Sequence, residues 1–221
     1  MLINKVFDYR PLERVDTGYG RRYIVGEGRP LPSVTTILSK TKDMTHINEW
    51  IKNVGEAEAN RIKTEASGLG NGMHKNLENY ILGAEMSGTL MAKTLAKVII
   101  KNGLSKVNEV WGTEVALYSK ELYAGTTDLI GLWEGRPSIM DFKNSLREKQ
   151  KEWIEDYMMQ LCAYSLAHNE MFGTDIRQGV VMIATRDAKY QEFVIKDDEF
   201  IHYETMWANK VCAYYDRFGL A

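Results

Sequence analysis

Cysteine is nearly absent: two among 221 residues, Cys162 and Cys212. Two thiols cannot build a disulfide framework, a four-cysteine zinc site or an ordinary four-cysteine iron–sulfur cluster. Both lie in helix-like sequence and read as reduced core thiols. Proline is scarce too. Pro11, Pro30 and Pro32 are three of the four, which makes the N-terminal stretch a non-helical arm. No apolar run approaches the ~18 residues that a membrane span needs; the longest dense stretch is Val180 to Ala184. Met1-Leu2-Ile3-Asn4-Lys5 lacks the charged-then-apolar pattern of a secretory leader, so a cytoplasmic protein is expected. There is no internal repeat and no low-complexity segment. There is also no excess of one charge: the net value is −2, so a nucleic-acid partner would have to be met by a local basic groove.

Hydrophobic residues make up 44% and charged residues 26%, the composition of a globular chain with a core. The length suits a single domain, 1–221, which divides into an arm (1–40), a helical part (41–105) and a core (106–221). In the arm, Arg21 to Val25 reads as a strand followed by a turn at Gly26-Glu27-Gly28, and Ser33 as the cap of a short helix. Thr45 to Ala66 has helical periodicity, and Gly68-Leu69-Gly70-Asn71-Gly72 reads as its break. Helices are then expected from about Met73 to Leu82 and Thr89 to Lys101. Val110 to Tyr118, Leu122 to Trp133 and Ser138 to Lys143 form a predicted antiparallel meander. A long helix from about Glu148 to Phe172 follows, then strands Val180 to Thr185 and Tyr190 to Ile195. The last helix runs from Asp197 to Arg217, capped by Asp197 or Asp198. This order predicts an α/β domain with helices packed on a central sheet.

The meander carries the candidate chemistry. Residues two apart on a strand share a face, so Asp141 and Lys143 look the same way, and a short turn brings Asp128 of the preceding strand close. Paired carboxylates repel unless a cation lies between them, and oxygen donors suit Mg²⁺ or Mn²⁺. An ammonium beside them could stabilise charge on a phosphate. On these residues alone, a solvated ladder pair explains the pattern equally. His74 and Glu78 share one helix face, beside the core-facing Met73, Leu77 and Ile81; alone, the histidine fits a structural role. Tyr157, Gln160 and Tyr164 make a polar-tipped stripe on the long helix. An aromatic core stripe reads the same, but a buried Gln160 needs partners.

Taken together, Gly72-x-His74-x-x-x-Glu78, Gly125-x-x-Asp128, Asp141-Phe142-Lys143 and Gln160-x-x-x-Tyr164 resemble the PD-(D/E)XK nuclease superfamily, RecB-like branch. Leu31-Pro32-Ser33-Val34-Thr35-Thr36-Ile37-Leu38 is similar to the opening of the mitochondrial genome maintenance exonucleases and their phage relatives. The resemblance covers about residues 30–195. It departs from the superfamily in having Thr127 before the first acid, and from some relatives in lacking their four-cysteine cluster. No Walker motif is present, so any ATP-driven unwinding belongs to another protein.

The resemblance implies a restriction-endonuclease-like core: a central mixed sheet flanked by helices, with an N-terminal helical extension. It implies a Mg²⁺- or Mn²⁺-dependent DNA exonuclease preferring single-stranded ends, working in replication, recombination or repair. A helicase, polymerase or single-strand-binding protein would be the kind of partner, in a bacterial cytoplasm for a phage protein or in an organellar matrix. His74, Asp128, Asp141 and the Phe142 carbonyl would be metal ligands, and Lys143 the catalytic lysine. Gln160 and Tyr164 would support the site or touch DNA. Ser33, Thr35 and Thr36 would meet a phosphate or a strand end. Glu78 and Glu114 stand as supporting acids. Arg147, with Lys149 and Lys151, follows the catalytic strand and could neutralise phosphates, as could the lysine stripe Lys93, Lys97 and Lys101. Trp50 and Tyr23 are candidate stacking residues. A DNA-binding module without cleavage, and a structure-specific endonuclease, are the competing readings.

Overall fold

The computed structural model describes residues 2–27 and 30–219. Gly28, expected to complete the first turn, and the terminal residues 1, 220 and 221 lie outside them. Four short strands and a helix come first: β1 (Leu2–Ile3), β2 (Glu13–Thr17), β3 (Gly20–Ile24), β4 (Leu31–Pro32) and α1 (Val34–Lys40). The helices α2 (Thr45–Val54), α3 (Glu56–Ile81) and α4 (Leu90–Asn102) follow. Then come β5 (Val107–Ser119), β6 (Tyr123–Trp133), β7 (Arg136–Ser145), α5 (Glu155–Phe172), β8 (Gln178–Thr185), β9 (Tyr190–Lys196) and α6 (Asp197–Phe218).

The main sheet has six strands in the order β1-β5-β6-β7-β8-β9. The expected meander is present as antiparallel β5, β6 and β7. β8 lies parallel to β7, joined to it through the crossover helix α5, and β1 is parallel to β5. The sheet is therefore mixed, flanked by helices on both faces and consistent with a restriction-endonuclease-like core. Burial explains the sequence of β8: with helices above and below, all eight residues are buried, so it reads as a continuous apolar run instead of alternating.

On one face Met73 and Leu77 of α3 and Leu95 and Ile99 of α4 pack against Leu129, Met140 and Phe142. On the other, Met158 and Leu161 of α5, Phe200 and Trp207 of α6, and Ile37 of α1 pack against Ile139, Val181 and Ile183. Each such fully buried side chain contributes about 1.5–3 kcal/mol relative to exposure. A separate three-stranded antiparallel sheet, β2-β3-β4, is built from the arm. No helix among the described residues is long and apolar enough to cross a membrane.

Four local expectations are corrected. The glycine run does not break the helix. α3 continues through it, and the break comes earlier at Gly55, where φ is +86°. Two of its three glycines serve close packing: a Cβ at Gly70 would lie 3.0 Å from Asn144 Oδ1, and one at Gly72 would lie 3.0 Å from the Ala92 Cβ, while Gly68 faces open space. α5 starts at Glu155, later than periodicity implies. Ahead of it, Lys151–Trp153 make a 3-10 turn, and Lys149 is pinned by Gln191, whose amide donates to the Lys149 carbonyl at 3.0 Å and accepts the Lys149 N–H at 2.7 Å. Asp197 and Asp198 lie in the first turn of α6, where they face the helix dipole without capping it. Cys162 is buried, but Cys212 is exposed, on the outward side of α6. Ser33 does cap α1, its Oγ accepting the Thr36 N–H at 3.0 Å.

His168 on α5 is fully buried among Phe7, Tyr9, Trp111 and Phe172. Its Nε2 meets the Tyr9 hydroxyl at 2.9 Å and its Nδ1 the Thr174 hydroxyl at 2.7 Å. Burial holds the imidazole down at about 4. The unfolded chain, with an ordinary histidine near 6.5, takes up that proton first. Stability from this residue is complete above about pH 6.5 and is lost as pH falls toward about 4. In His168→Gln, denaturant midpoints measured between those values should lose that part of the wild-type slope. An unchanged slope would place the titration elsewhere.

Candidate active site

The β6–β7 ladder runs from Trp133–Arg136 to Leu129–Met140 and stops there. The next residues are Asp128 and Asp141. In place of a backbone partner, the Phe142 N–H donates to Asp128 Oδ2 at 2.6 Å. Beyond this point β6 stays paired with β5, and β7 with β8 as far as Ser145–Thr185. The two strands part, and the small sheet seats on the freed end of β6. Ser33 bridges to Ala124, and the Tyr23 hydroxyl meets Thr126 Oγ1 at 3.2 Å. Between them lies a cleft of about 480 Å³.

Its floor is a charged cluster. Asp141 is buried, with Oδ1 accepting from the Gln160 amide at 3.0 Å and Oδ2 in an ion pair with the Lys143 ammonium. The Lys143 Nζ sits 4.9 Å from the centroid of the Tyr157 ring, which gives the cation a π face. His74, on α3, donates from Nε2 to the Phe142 carbonyl at 2.8 Å and sets Nδ1 3.3 Å from Asp128 Oδ1. The helical stripe is thereby explained: Tyr157 supports Lys143, Gln160 fixes Asp141, and Tyr164 fills the space beneath Gly125. A Cβ at Gly125 would come within 2.7 Å of the Tyr164 Oη, so glycine is required there.

The electrostatics follow from burial and pairing. Burial and the Asp128 charge push Asp141 up to about 6, against the pull of Lys143. Burial acts the same way on Asp128, but His74, Lys143 and the Phe142 N–H outweigh it and hold this carboxyl below the usual range. His74 loses from burial and gains more from Asp128, ending at about 9. Burial opposes the Lys143 cation, yet Asp141 and Asp128 keep it above the ordinary lysine value. Glu114 faces the cleft from β5; burial of its carboxylate, then the Asp128 charge, raises it to about 7.

The cleft brings together Ser33, Thr35, His74, Glu78, Glu114, Asp128, Asp141, Lys143, Gln160 and Tyr164. Thr36 is buried behind it, its hydroxyl committed to the Arg21 carbonyl at 3.0 Å. Arg147 is exposed on the loop after β7, outside the cleft lining, and Trp50 is half-buried on α2, also outside it. Sequence reading missed Arg14 and Arg21, which line the opposite wall, along with Asn71 and Lys75. Nothing local marks the two arginines; only the docking of the small sheet onto β6 places them.

The residues present fit a divalent cation. Two carboxylates and a carbonyl are hard oxygen donors suited to Mg²⁺ or Mn²⁺. Asp141 Oδ2 is buried, with the Lys143 ammonium beside it as its partner. His74, Glu114 and Asp128 each offer a ligand atom, all within 4.8 Å of one another.

No protein-family model matches the chain, and no curated protein matches it. Among solved structures it is similar to SSO0001, at 16% identity and a TM-score of 0.45 over 88% of this chain and 81% of that one. A protein from Eubacterium rectale matches at 13% identity and 0.43, over 80% of this chain and 66% of that one. The alkaline exonuclease LHK-Exo from Laribacter hongkongensis matches at 14% identity and 0.31, over 66% and 77%. At these identities and scores, the activity of this chain rests on the geometry of its own site.

The Gly125–Tyr164 contact makes a packing test. Gly125→Ala should destabilise the fold by about 1–3 kcal/mol through overpacking. Tyr164→Phe, which removes the clashing oxygen, should recover part of that loss in the double variant. Denaturant unfolding of the four proteins reads the coupling, and strict additivity would refute it.

Proposed function

We propose that this chain is a metal-dependent deoxyribonuclease of the RecB-like branch, an exonuclease that hydrolyses phosphodiester bonds at single-stranded DNA ends. One observation carries the reading: the buried Asp128 and Asp141 and the half-buried Lys143, which is paired with Asp141, converge at the floor of an open cleft. Ionisable groups are costly to bury without a task. The ligand set comprises His74, Asp128, Asp141 and the Phe142 carbonyl. A divalent cation there would offset charge on the scissile phosphate and lower the pKa of a water.

The protein's own groups do the rest. Lys143, anchored by Asp141 and backed by Tyr157, holds its ammonium where it can orient a water or meet a phosphate oxygen. Gln160 keeps Asp141 from rotating away. On the facing wall Arg14 and Arg21 share a single carboxylate, Asp16, at 3.3 and 3.8 Å, so together they carry uncompensated positive charge for a DNA backbone. Ser33 and Thr35 add hydroxyl donors on that wall.

The test is cleavage of labelled linear single strands, duplexes and closed single-stranded circles with Mg²⁺ or Mn²⁺. Linear strands should be degraded, circles spared, and chelation should stop the reaction. Asp141→Ala should abolish cleavage with the fold intact by circular dichroism, and Lys143→Met should lower the rate about a hundredfold or more. Cut circles would indicate an endonuclease. Binding without cleavage under every ion would sink the enzyme reading and favour the DNA-binding module.

A further inference from the structure

A second cavity opens beyond Glu114. It holds about 490 Å³ and shares that residue with the cleft, so the two spaces meet at one side chain of β5. The wall formed by α3 runs through both. Glu78 lines the cleft, while Ile81 and Leu82, three and four positions further along the same helix face, line the second cavity. Four residues of helix advance about 6 Å. That is comparable to the reach of one nucleotide in an extended strand.

A local irregularity of β5 shapes this space. Val110 pairs with Gly131 and Gly112 with Ile130, so Trp111 is an extra residue without a counterpart on β6. A bulge of this kind bends the strand and re-aims its side chain. It depends on Gly131, where a Cβ would fall 2.0 Å from the Glu109 carbonyl oxygen. On the outer edge of β5, β1 pairs with Glu109 and Val110, and Asn4 adds one bond to the Val110 carbonyl. The chain from Lys5 to Leu12 then passes by without forming strand or helix. Tyr9 of that passage lies against Gly112, where a Cβ would meet its ring at 2.7 Å.

The aromatic wall is braced. Phe7 sets its ring edge-on at 5.5 Å from Trp111, His168 lies more nearly parallel at 6.4 Å, and the indole N–H donates to Glu109 Oε1 at 2.7 Å. Two cations also line the cavity, Lys5 and Arg10. Arg10 is paired with Asp8, whereas Lys5 has neither a hydrogen bond nor an ion pair among the described residues. A free phosphate would gain nothing from the aromatic wall, and an aliphatic chain nothing from the ammonium. A base with its attached phosphate uses both. The volume falls within the roughly 300–1,000 Å³ of small-ligand sites.

We infer that the cavity beyond Glu114 is a nucleobase seat: with the scissile phosphate over Asp128 and Asp141, the base of the adjoining nucleotide stacks against Trp111 and Lys5 meets the next phosphate. A base in a duplex is already stacked and paired, so the seat selects a single strand. The identity of that strand rests on the proposed nuclease reading, but the seat is tested by binding rather than cleavage.

The full chain, with Ca²⁺ in place of Mg²⁺, is titrated with short oligothymidylate and with a fully abasic strand of the same length. Affinity is read by anisotropy of the labelled strands and stacking by intrinsic tryptophan fluorescence. The wild type should bind the thymidylate about tenfold or more tightly than the abasic strand, and only the thymidylate should quench the fluorescence. Trp111→Leu should bring the two affinities near parity, and Trp111→Phe should lose most of the quenching. Lys5→Ala should lower the salt dependence of thymidylate binding by about one phosphate contact. If Trp111→Leu melts below wild type, Trp111→Phe and Lys5→Ala read the same seat. Equal affinity of the wild type for both strands, or undiminished quenching in Trp111→Phe, overturns the inference; so does an unchanged salt dependence in Lys5→Ala. Base-dependent binding in a protein that cuts no DNA with Mg²⁺ or Mn²⁺ would sink the nuclease reading and leave the seat standing. A nuclease indifferent to bases would do the reverse, and a chain that binds neither strand overturns both.

Discussion

The Phe142 amide donates to a side chain where a sheet would offer it a backbone carbonyl, and that one substitution organises the molecule. Because Asp128 takes the place of the next ladder partner, β6 and β7 separate at the point where their carboxylates meet. Without the separation there would be no cleft, no exposed end of β6 for the small sheet to dock on, and no reason for Arg14 and Arg21 to face the acids. The bond also adds to the larger pulls of His74 and Lys143 that keep the Asp128 carboxyl below the usual range, since a backbone N–H donated to a carboxylate favours its charged form.

The buried charges form one connected unit. His74 touches both Asp128 and the Phe142 carbonyl, Phe142 is bound to Asp128, and Asp141 is clamped between Lys143 and Gln160. In a low-dielectric interior each member owes its protonation state to the next. Losing one partner leaves an uncompensated charge, and the cost falls on the whole cluster rather than on one contact.

Much of this was legible in the sequence because the signals were local. Alternation located β5, β6 and β7; the two-residue spacing of Asp141 and Lys143 placed both on one face; the need of a buried amide for partners marked Gln160. Long-range effects were not legible. The glycines of α3 look like a break because intrinsic propensity is all a sequence displays, whereas Gly70 and Gly72 allow close contact with Asn144 and Ala92 on other elements. The delayed start of α5 depends on Gln191. Glu114 gave only the hint of an acid on the first strand. Its approach to His74 needs both the sheet register and a left-handed backbone that periodicity does not encode.

The two walls of the cleft differ in how firmly they are held. Tyr157, Gln160 and Tyr164 project from α5, whose central residues are buried and which spans the main core between sheet and α6. Arg14 and Arg21 stand exposed on β2, whose residues are mostly open to solvent, and on β3, whose residues are mostly half-buried. Their sheet meets the body through a small cluster around Tyr23, Leu31 and Ala124, the Ser33–Ala124 bridge, the Tyr23–Thr126 hydroxyl contact and the bonds of Ser33 and Thr36 to the Arg21 carbonyl. The α5 wall opens only with the main core, while the arginine wall is held by a smaller set of contacts. Amide hydrogens of α5 therefore exchange on the timescale of global unfolding and those of β2 far sooner, so the two sides of one cleft differ in how readily they yield.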